Sequence, residues 1–168
     1  MLNSISANGM ICRSDGSEDF LLTEGGDYVI QQAKKAGNII WGRQAYDNVK
    51  KNLQRFDDAL IGVKRVILSR NKDLQIAEGY ELVNSPREAI NLLTSLNMKV
   101  AILDGGSSIN TSFLNENLVD EVHLLVEPML IGGGLSVVAE ATKDIKLKLI
   151  SVEHIHENDV LLKYRVVN

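Results

Sequence analysis

Short apolar runs alternate along this chain with segments in which apolar residues recur every three or four positions. The runs predict buried strands, and the periodic segments predict helices packed against them. Turn residues such as Asn8-Gly9 separate the elements. The pattern predicts strands over residues 1–5, 10–12, 38–41, 63–68, 100–103, 121–126, 145–155 and 160–166. It predicts helices over residues 24–35, 45–56, 86–96 and 109–115.

Two helix starts have local signals of their own. Thr23 is placed to cap the first predicted helix. Ser85-Pro86-Arg87-Glu88 has the pattern of a capping box, in which serine caps, proline occupies the first helical position and glutamate reaches back. The run at residues 100–103 is continuous and apolar, which is typical of a strand buried on both faces.

Helices that alternate with apolar strands imply an α/β domain with a mainly parallel central sheet covered on both sides. A final antiparallel hairpin around Glu157-Asn158 makes that sheet mixed. The chain has 168 residues, which is enough for one well-buried core. No internal repeat and no linker composition interrupts it. We therefore expect one domain over residues 1–168.

Composition narrows the classes of function. The chain is 45% hydrophobic and 24% charged, like an ordinary soluble domain. A net charge of −4 argues against general nucleic-acid binding, which needs a basic face. The sequence shows neither an apolar run of membrane-spanning length nor a signal peptide, and Cys12 is the only cysteine. These features predict a cytoplasmic protein without an internal disulfide.

Glycines and polar residues follow several predicted strands at their carboxyl ends, where open α/β sheets bind ligands. Gly105-Gly106 leads from a strand into a helix start at Ser107 and Ser108. Glycine admits a ligand close to backbone N–H groups, and a helix N-terminus favours an anion. Gly42-Arg43 and Ser69-Arg70 end two other strands, and guanidinium pairs well with phosphate. Together they predict a site for a ligand with several phosphates.

Each of these signals also has a purely structural interpretation. The glycine pair is compatible with a tight turn, the arginines with solvated surface charges, and Gly132-Gly133-Gly134 with a flexible loop. His154 and His156 alternate on one strand face, but no third ligand stands beside them in the sequence. We predict no metal site.

Six segments, in this order, resemble the dihydrofolate reductase-like superfamily, and more closely the reductase (RibD C-terminal) domain of riboflavin biosynthesis. They are SANGMI at 6–11, IWGRQAY at 40–46, VILSR at 66–70, LDGG at 103–106, LVDEV at 118–122 and the proline and glycine segment at 128–134. Asn8 stands where that family usually has aspartate, and Ala45 where it has threonine. The riboflavin reductases' aspartate-any-proline-any-leucine stretch has no counterpart after residue 46.

The resemblance implies NADPH-dependent reduction of a pterin-like, pyrimidine or related heterocyclic substrate. Its opening motif implies substrate contacts from Ser6 and Asn8. It also implies a homodimer, which we expect to form through the apolar segments 147–150 and 160–164. The cofactor contacts that it implies are Gly42, Arg43, Gln44, Ser69, Arg70, Gly105, Gly106, Ser107 and Ser108.

Reduction of a C=N or C=O bond needs a proton as well as a hydride, and a carboxylate with a raised pKa can deliver it. The resemblance places this acid on the first helix, where Asp27 is the nearest candidate. The alternative is that Asp27 only stabilises the N-terminus of this helix electrostatically. Four neighbouring carboxylates are further candidates: Asp15, Glu18, Asp19 and Glu24.

Two other functions remain as alternatives. A non-catalytic nucleotide-binding or regulatory domain of the same fold would fit the departures at Asn8 and Ala45. A nucleotide hydrolase or kinase is disfavoured because the chain has no phosphate-binding loop of the glycine-any4-glycine-lysine-serine/threonine type.

Overall fold

A computed structural model describes residues 1–21, 23–51, 53–155 and 157–167. The side chains of Thr23, Glu24 and Leu53 also lie outside the description, so the predicted Thr23 cap and the Glu24 alternative have no structural account, and neither does His156. The strands are β1 (Leu2–Ser6), β2 (Met10–Cys12), β3 (Asn38–Gly42), β4 (Lys64–Leu68), β5 (Tyr80–Val83), β6 (Glu121–Glu127), β7 (Leu135–Ser136), β8 (Lys146–His154) and β9 (Val160–Val167). The helices are α1 (Thr23–Ala36), α2 (Arg43–Lys50), α3 (Leu53–Ala59), α4 (Pro86–Ser95) and α5 (Ser107–Asn115).

The strands form two larger groups, ordered β1-β6-β9-β8 and β3-β4-β5, and β2 pairs with β7. Residues 102–105 lie between the two groups and join them. The Leu2 N–H donates to the Leu103 carbonyl at 2.9 Å, and the Ile40 N–H donates to the Ile102 carbonyl at 2.8 Å. Because this segment bonds to β1 on one side and to β3 on the other, the strands form one central sheet.

The central sheet is mixed. β1 runs parallel to β6, and β3, β4 and β5 run parallel to one another. β9 runs antiparallel to both β6 and β8. The predicted fold class is therefore confirmed, including the antiparallel pair at the end of the chain.

Side chains along each strand alternate between the two faces of the sheet. Both faces are therefore apolar, and helices cover both. Ile39 and Trp41 of β3 pack in the core with α1 and α2, whereas Ile40 packs in the core with α4 and α5. Asn38 connects β3 to the segment at residues 100–102: its Nδ2 donates to the Val100 carbonyl at 2.7 Å, and its Oδ1 accepts from the Ile102 N–H.

Several details differ from the predicted elements. The helix expected over 45–56 begins at Arg43, and α2 ends at Lys50 with α3 after it. The strands β5 and β7 were not predicted, since they are only four and two residues long. Residues 100–103 form only an isolated bridge, at Leu103. Val100 is 57% exposed, so this segment is not buried throughout.

Helix α4 shows a variant of the predicted capping box, in which Glu88 bonds to the residue before the N-cap. The Glu88 N–H donates to the Ser85 hydroxyl at 3.2 Å, and the Asn84 N–H donates to the Glu88 carboxylate at 2.7 Å. Among the helices that the structure describes, none combines the length and apolarity needed to cross a bilayer.

Candidate active site

The carboxyl end of β3 meets the glycine pair. The Gly42 N–H donates to the Gly105 carbonyl at 2.8 Å, and Gly42 is also the register partner of Leu68 at the end of β4. Gly105 has a φ of +72°, and a Cβ there would lie 2.7 Å from the Asn3 Nδ2. Only glycine satisfies both conditions, so the close approach of these chain segments depends on it.

Two helices begin at this junction. Gly42 is the N-cap of α2 and Gly106 is the N-cap of α5, and neither helix start has a side-chain cap. The first N–H groups of a helix have no partner within the helix, and they carry partial positive charge. Adjacent uncapped helix starts therefore form a site suited to an anion with more than one phosphate.

The polar side chains predicted for the cofactor surround this junction. Arg43 and Gln44 are exposed in the first turn of α2, where Arg43 forms an ion pair with Asp47 at 2.5 Å. In the first turn of α5, Ser107 is half-buried and Ser108 is exposed. The geometry fits a phosphate-bearing cofactor, because N–H donors and a cation share one edge.

The segment after β4 lies one strand further along the same edge. Ser69 is buried, and its hydroxyl accepts a hydrogen bond from the Asn71 N–H at 3.1 Å. Arg70 is exposed. The predicted cofactor residues thus share one edge of the sheet, although Ser69 serves the turn that follows it.

A cavity of about 510 Å³ opens beside the glycine pair, between α1 and α2. Trp41 and Asn3 contribute to its wall from the sheet, and residues 17–19 contribute from the loop that precedes α1. Gly105 and Gly106 also line it, so the cavity adjoins the helix starts. A ligand in the cavity would therefore lie next to an anion bound at the junction.

Asp104 is the carboxylate that the structure places in the cavity wall next to the glycine pair. The Trp41 indole N–H donates to its Oδ2 at 2.8 Å. Burial raises the pKa of Asp104 from 3.8 to about 7, with a smaller rise from the charge of Glu18 and a partly offsetting effect of the Trp41 hydrogen bond. This group can therefore hold or release a proton near neutral pH.

Asp27, the acid predicted from the sequence, lies elsewhere. It is exposed on α1, and the cavity is lined by its neighbour Gly26 and by Val29 and Ile30 instead. Helix α1 thus presents a glycine and apolar side chains to the cavity. The acid next to the glycine pair is Asp104, which is not among the acids predicted from the sequence. Of those predicted acids, Glu18 and Asp19 line the cavity.

Ser6 and Asn8, predicted to contact substrate, are used within the fold. The Ser6 hydroxyl is buried, donates to the Asn8 Oδ1 at 2.8 Å and accepts from the Met10 N–H. The Asn8 Nδ2 donates to the Ile131 carbonyl at 2.9 Å, while its Oδ1 accepts from the Ile131 N–H at 3.2 Å. Neither side chain is among the described residues that line the cavity. Asn8 joins the turn after β1 to the loop before β7.

A sequence signal for Asp104 exists in retrospect. A carboxylate directly after a buried strand, and directly before two glycines, stands where α/β sheets place ligand contacts. Glu18 and Asn48 also line the cavity, but they come from a loop and a helix that are distant in sequence. No local pattern indicates that they meet.

The fold is that of a dihydrofolate reductase-like α/β domain. The dihydrofolate reductase of Enterococcus faecalis, solved in complex with NADP(H), superimposes with a TM-score of 0.74 at 15% identity, covering 99% of this chain and 95% of the other. Residues 3–161 match the RibD C-terminal domain family. The chain belongs to that family.

Two further proteins are similar to this chain. The riboflavin biosynthesis protein RibD of Actinobacillus pleuropneumoniae is 34% identical over 89 residues, which are 49% of this chain and 23% of that protein. The match thus spans about a quarter of that relative's length. A pyrimidine reductase-like protein of Corynebacterium diphtheriae superimposes with a TM-score of 0.76 at 17% identity, covering 99% of this chain and 90% of the other.

The double hydrogen bond of Asn8 predicts that aspartate is unfavourable at this position. In Asn8→Asp a carboxylate oxygen would face the Ile131 carbonyl in place of an N–H donor. We expect the free energy of unfolding to fall by about 1 kcal/mol at neutral pH, measured by urea denaturation. Asn71→Asp is the control, because the Asn71 side chain accepts from the Asp73 N–H, and a carboxylate can do the same. Equal losses in the two variants would contradict this role of the Asn8 amide.

Proposed function

We propose that this protein is an NADPH-dependent oxidoreductase that transfers hydride to a pterin-like, pyrimidine or related heterocycle, in riboflavin- or folate-type metabolism. The observation that carries the proposal is the junction of two uncapped helix starts with a cavity that contains an acid of raised pKa. Family membership supports the same class of reaction. A cytoplasmic location remains a prediction from composition.

The cofactor's phosphates would lie at the starts of α2 and α5. There the backbone N–H groups after Gly42 and Gly106 would bind them, and the side chains of Gln44, Ser107 and Ser108 stand alongside. Arg43 and Arg70, at the ends of neighbouring strands, would favour NADPH over NADH because guanidinium pairs with the additional phosphate. The complex of the E. faecalis dihydrofolate reductase with NADP(H) supports this assignment by likeness of fold.

The substrate would occupy the cavity. When bound, the nicotinamide supplies a hydride, and the protein's part is to orient the acceptor, exclude water and provide a proton. Asp104 would hold that proton at its carboxyl group, and the Trp41 indole would fix the orientation of the carboxyl group through its hydrogen bond. Asp27 is exposed, so we propose Asp104 in its place.

A screen of NADPH oxidation against dihydrofolate, other pterins and ribosylated pyrimidine phosphates tests the proposal. Loss of NADPH absorbance that depends on one of these substrates is the expected result. Tight NADPH binding without oxidation by any of them would instead support a non-catalytic nucleotide-binding domain of the same fold.

Ser108→Asp separates helix stability from phosphate binding. A carboxylate in the first turn of α5 interacts favourably with the helix dipole, so the melting temperature should stay the same or rise. The same charge repels phosphate, so the dissociation constant for NADPH should increase about tenfold at low salt and by less at high salt. Calorimetric titration measures this change.

Ser85→Asp introduces the same charge at the N-cap of α4, where aspartate caps as well as serine does. NADPH affinity should not change in this control. If Ser108→Asp also binds NADPH as tightly as the unmodified protein, the phosphate site lies elsewhere.

Asp104→Asn should reduce turnover about a hundredfold, because an amide cannot donate the proton. In the unmodified protein, turnover should fall as the pH rises through about 7, the pKa of Asp104. The free energy of unfolding should also fall as the pH rises. Folding raises the pKa of Asp104 from 3.8 to about 7. The stability contributed by the protonated group is therefore fully present below pH 3.8 and is lost as the pH rises through about 7. The asparagine variant should lack this loss.

The pH profile of kcat and urea denaturation at several pH values measure both effects. Asp27→Asn is the parallel variant. If it stops turnover while Asp104→Asn does not, the proton donor is on α1.

We also propose that the protein is a homodimer through the C-terminal strands. β8 is the edge strand of its group, and Leu147, Leu149 and Val152 are 41%, 52% and 55% exposed. Because of the register shift between Leu149 and Ser151, these three side chains lie on the same face of the sheet. Their register partners on β9 are Val166, Tyr164 and Leu162. An exposed apolar edge strand is a surface that a second copy would cover.

Val152→Lys should convert the dimer to a monomer at micromolar concentration, because it places a charge in the proposed interface. Sedimentation velocity measures the change. Val100→Lys is the control, since Val100 is equally exposed, at 57%, but lies away from β8. A monomer before any substitution would remove the dimer proposal.

A further inference from the structure

Helix α3 has seven residues, and two of them, Arg55 and Phe56, line the cavity. A helix this short is marginal by itself, so contacts with the rest of the fold have to hold it in place. Leu60, which follows the helix, is buried and fixes where the helix ends. Among the described side chains of the helix itself, at residues 54–59, none is buried. The direction of α3 from Leu60 therefore depends on a further contact.

Asp57 makes this contact with two strands of the sheet. Its Oδ1 forms an ion pair with the Arg65 Nη1 of β4, and it accepts a hydrogen bond from the Tyr80 hydroxyl of β5 at 3.1 Å. The Arg65 guanidinium also lies over the Tyr80 ring, 4.5 Å from its centroid, which is within the range of a cation–π interaction. A single carboxylate thus joins α3 to β4 and β5.

The surroundings of Arg65 make this ion pair specific in position. The Arg65 side chain is only 16% exposed. Gly79 has a φ of +81°, and a Cβ there would lie 2.7 Å from the Arg65 Nη2, so the turn before β5 leaves room for the guanidinium because residue 79 is glycine. A guanidinium with so little hydration is unfavourable unless a carboxylate pairs with it. The ion pair with Asp57 therefore holds α3 at one place on the sheet.

The residue next to Asp57 links this ion pair to the cavity. Phe56 packs edge-on against Trp41, with the ring centroids 6.1 Å apart and the ring planes at 81°. The Trp41 indole in turn donates to Asp104 at 2.8 Å. A shift of α3 would move Phe56 away from the indole, widen the cavity and loosen the orientation of the Asp104 carboxyl group.

We propose that Asp57 is a positioning residue for the reaction, which holds α3 so that Phe56 forms the cavity wall and fixes the Trp41 indole. This inference rests on the proposed function, since it concerns the same cavity. Asp57 is not among the described residues that line the cavity, so it acts through its neighbour Phe56. The proposed cofactor site is at the starts of α2 and α5. Loss of the ion pair should therefore affect the substrate and leave NADPH binding unchanged.

Asp57→Asn tests this proposal, because the amide keeps the size of the side chain and removes the charge that pairs with Arg65. The KM for a substrate from the reductase screen should rise about tenfold, since the cavity wall is no longer fixed. The dissociation constant for NADPH, measured by calorimetric titration, should not change. Asp58→Asn is the matched control: it removes the same charge from the same helix, and its side-chain oxygen can still accept from the Gln54 Nε2. Its KM should equal that of the unmodified protein.

Trp41 provides a second readout that needs no ligand. It is the only tryptophan and it is buried, so quenching of its fluorescence by acrylamide reports an opening of the cavity wall. The quenching constant should increase severalfold in Asp57→Asn and stay the same in Asp58→Asn. Tyr80→Phe removes one hydrogen bond to Asp57 and keeps the ion pair, so it should change both readouts in the same direction by less. It takes the place of Asp57→Asn if that variant does not fold.

A higher KM together with stronger quenching, both absent from Asp58→Asn, supports the proposal. An unchanged KM overturns it even where the melting temperature falls, because the Asp57 contact would then stabilise the fold without shaping the cavity. Unchanged quenching of Trp41 in both Asp57→Asn and Tyr80→Phe overturns it without any assay of activity. If the unmodified protein reduces no substrate of the screen, the proposed function fails, and the quenching measurements still decide whether Asp57 holds the cavity wall.

Discussion

The site depends on the hydrogen bonds that residues 102–105 form with β1 on one side and β3 on the other. These backbone bonds measure 2.8 to 2.9 Å. They join the two groups of strands into one sheet, and they bring the glycine pair against the end of β3. Without them α2 and α5 would begin in separate places, and the cavity would lose one wall. A short and irregular segment thus determines both the architecture and the position of the chemistry.

Alternation along this segment explains how an acid comes to be partly buried in the cavity wall. Leu103 packs in the core beside α5, so the next side chain points to the opposite face. That face contains Trp41 and the cavity, and Asp104 is therefore enclosed and hydrogen-bonded to the indole. An ionised carboxylate there has lost much of its hydration, so the proton is retained to higher pH. The raised pKa of Asp104 thus follows from the alternation of side chains along the segment, which places the carboxyl group where it is desolvated.

The sequence alone predicted those elements whose stabilising interactions join residues close together in the chain. The capping box at Ser85 and Glu88 predicted the start of α4 because its bonds join residues three and four apart. The glycine pair predicted a turn into a helix for a similar reason. The carboxyl group in the cavity wall could not be predicted in this way: whether Asp27 or Asp104 faces the cavity depends on which helix face meets the sheet. The hydrogen bond from Asn48 to Glu18 joins residues that are 30 positions apart, and no periodic pattern in the sequence predicts it.

Under the proposed function, this acidic protein has to separate its own charges from those of an anionic cofactor. Here the donors at the junction are backbone N–H groups at two helix starts, which attract anions without adding a titratable group. The carboxylates line the neighbouring cavity. Under the proposed function, phosphates bound at the junction would add negative charge near Asp104 and raise its pKa further. Cofactor binding and proton retention would then favour each other, because each stabilises the state in which the other occurs.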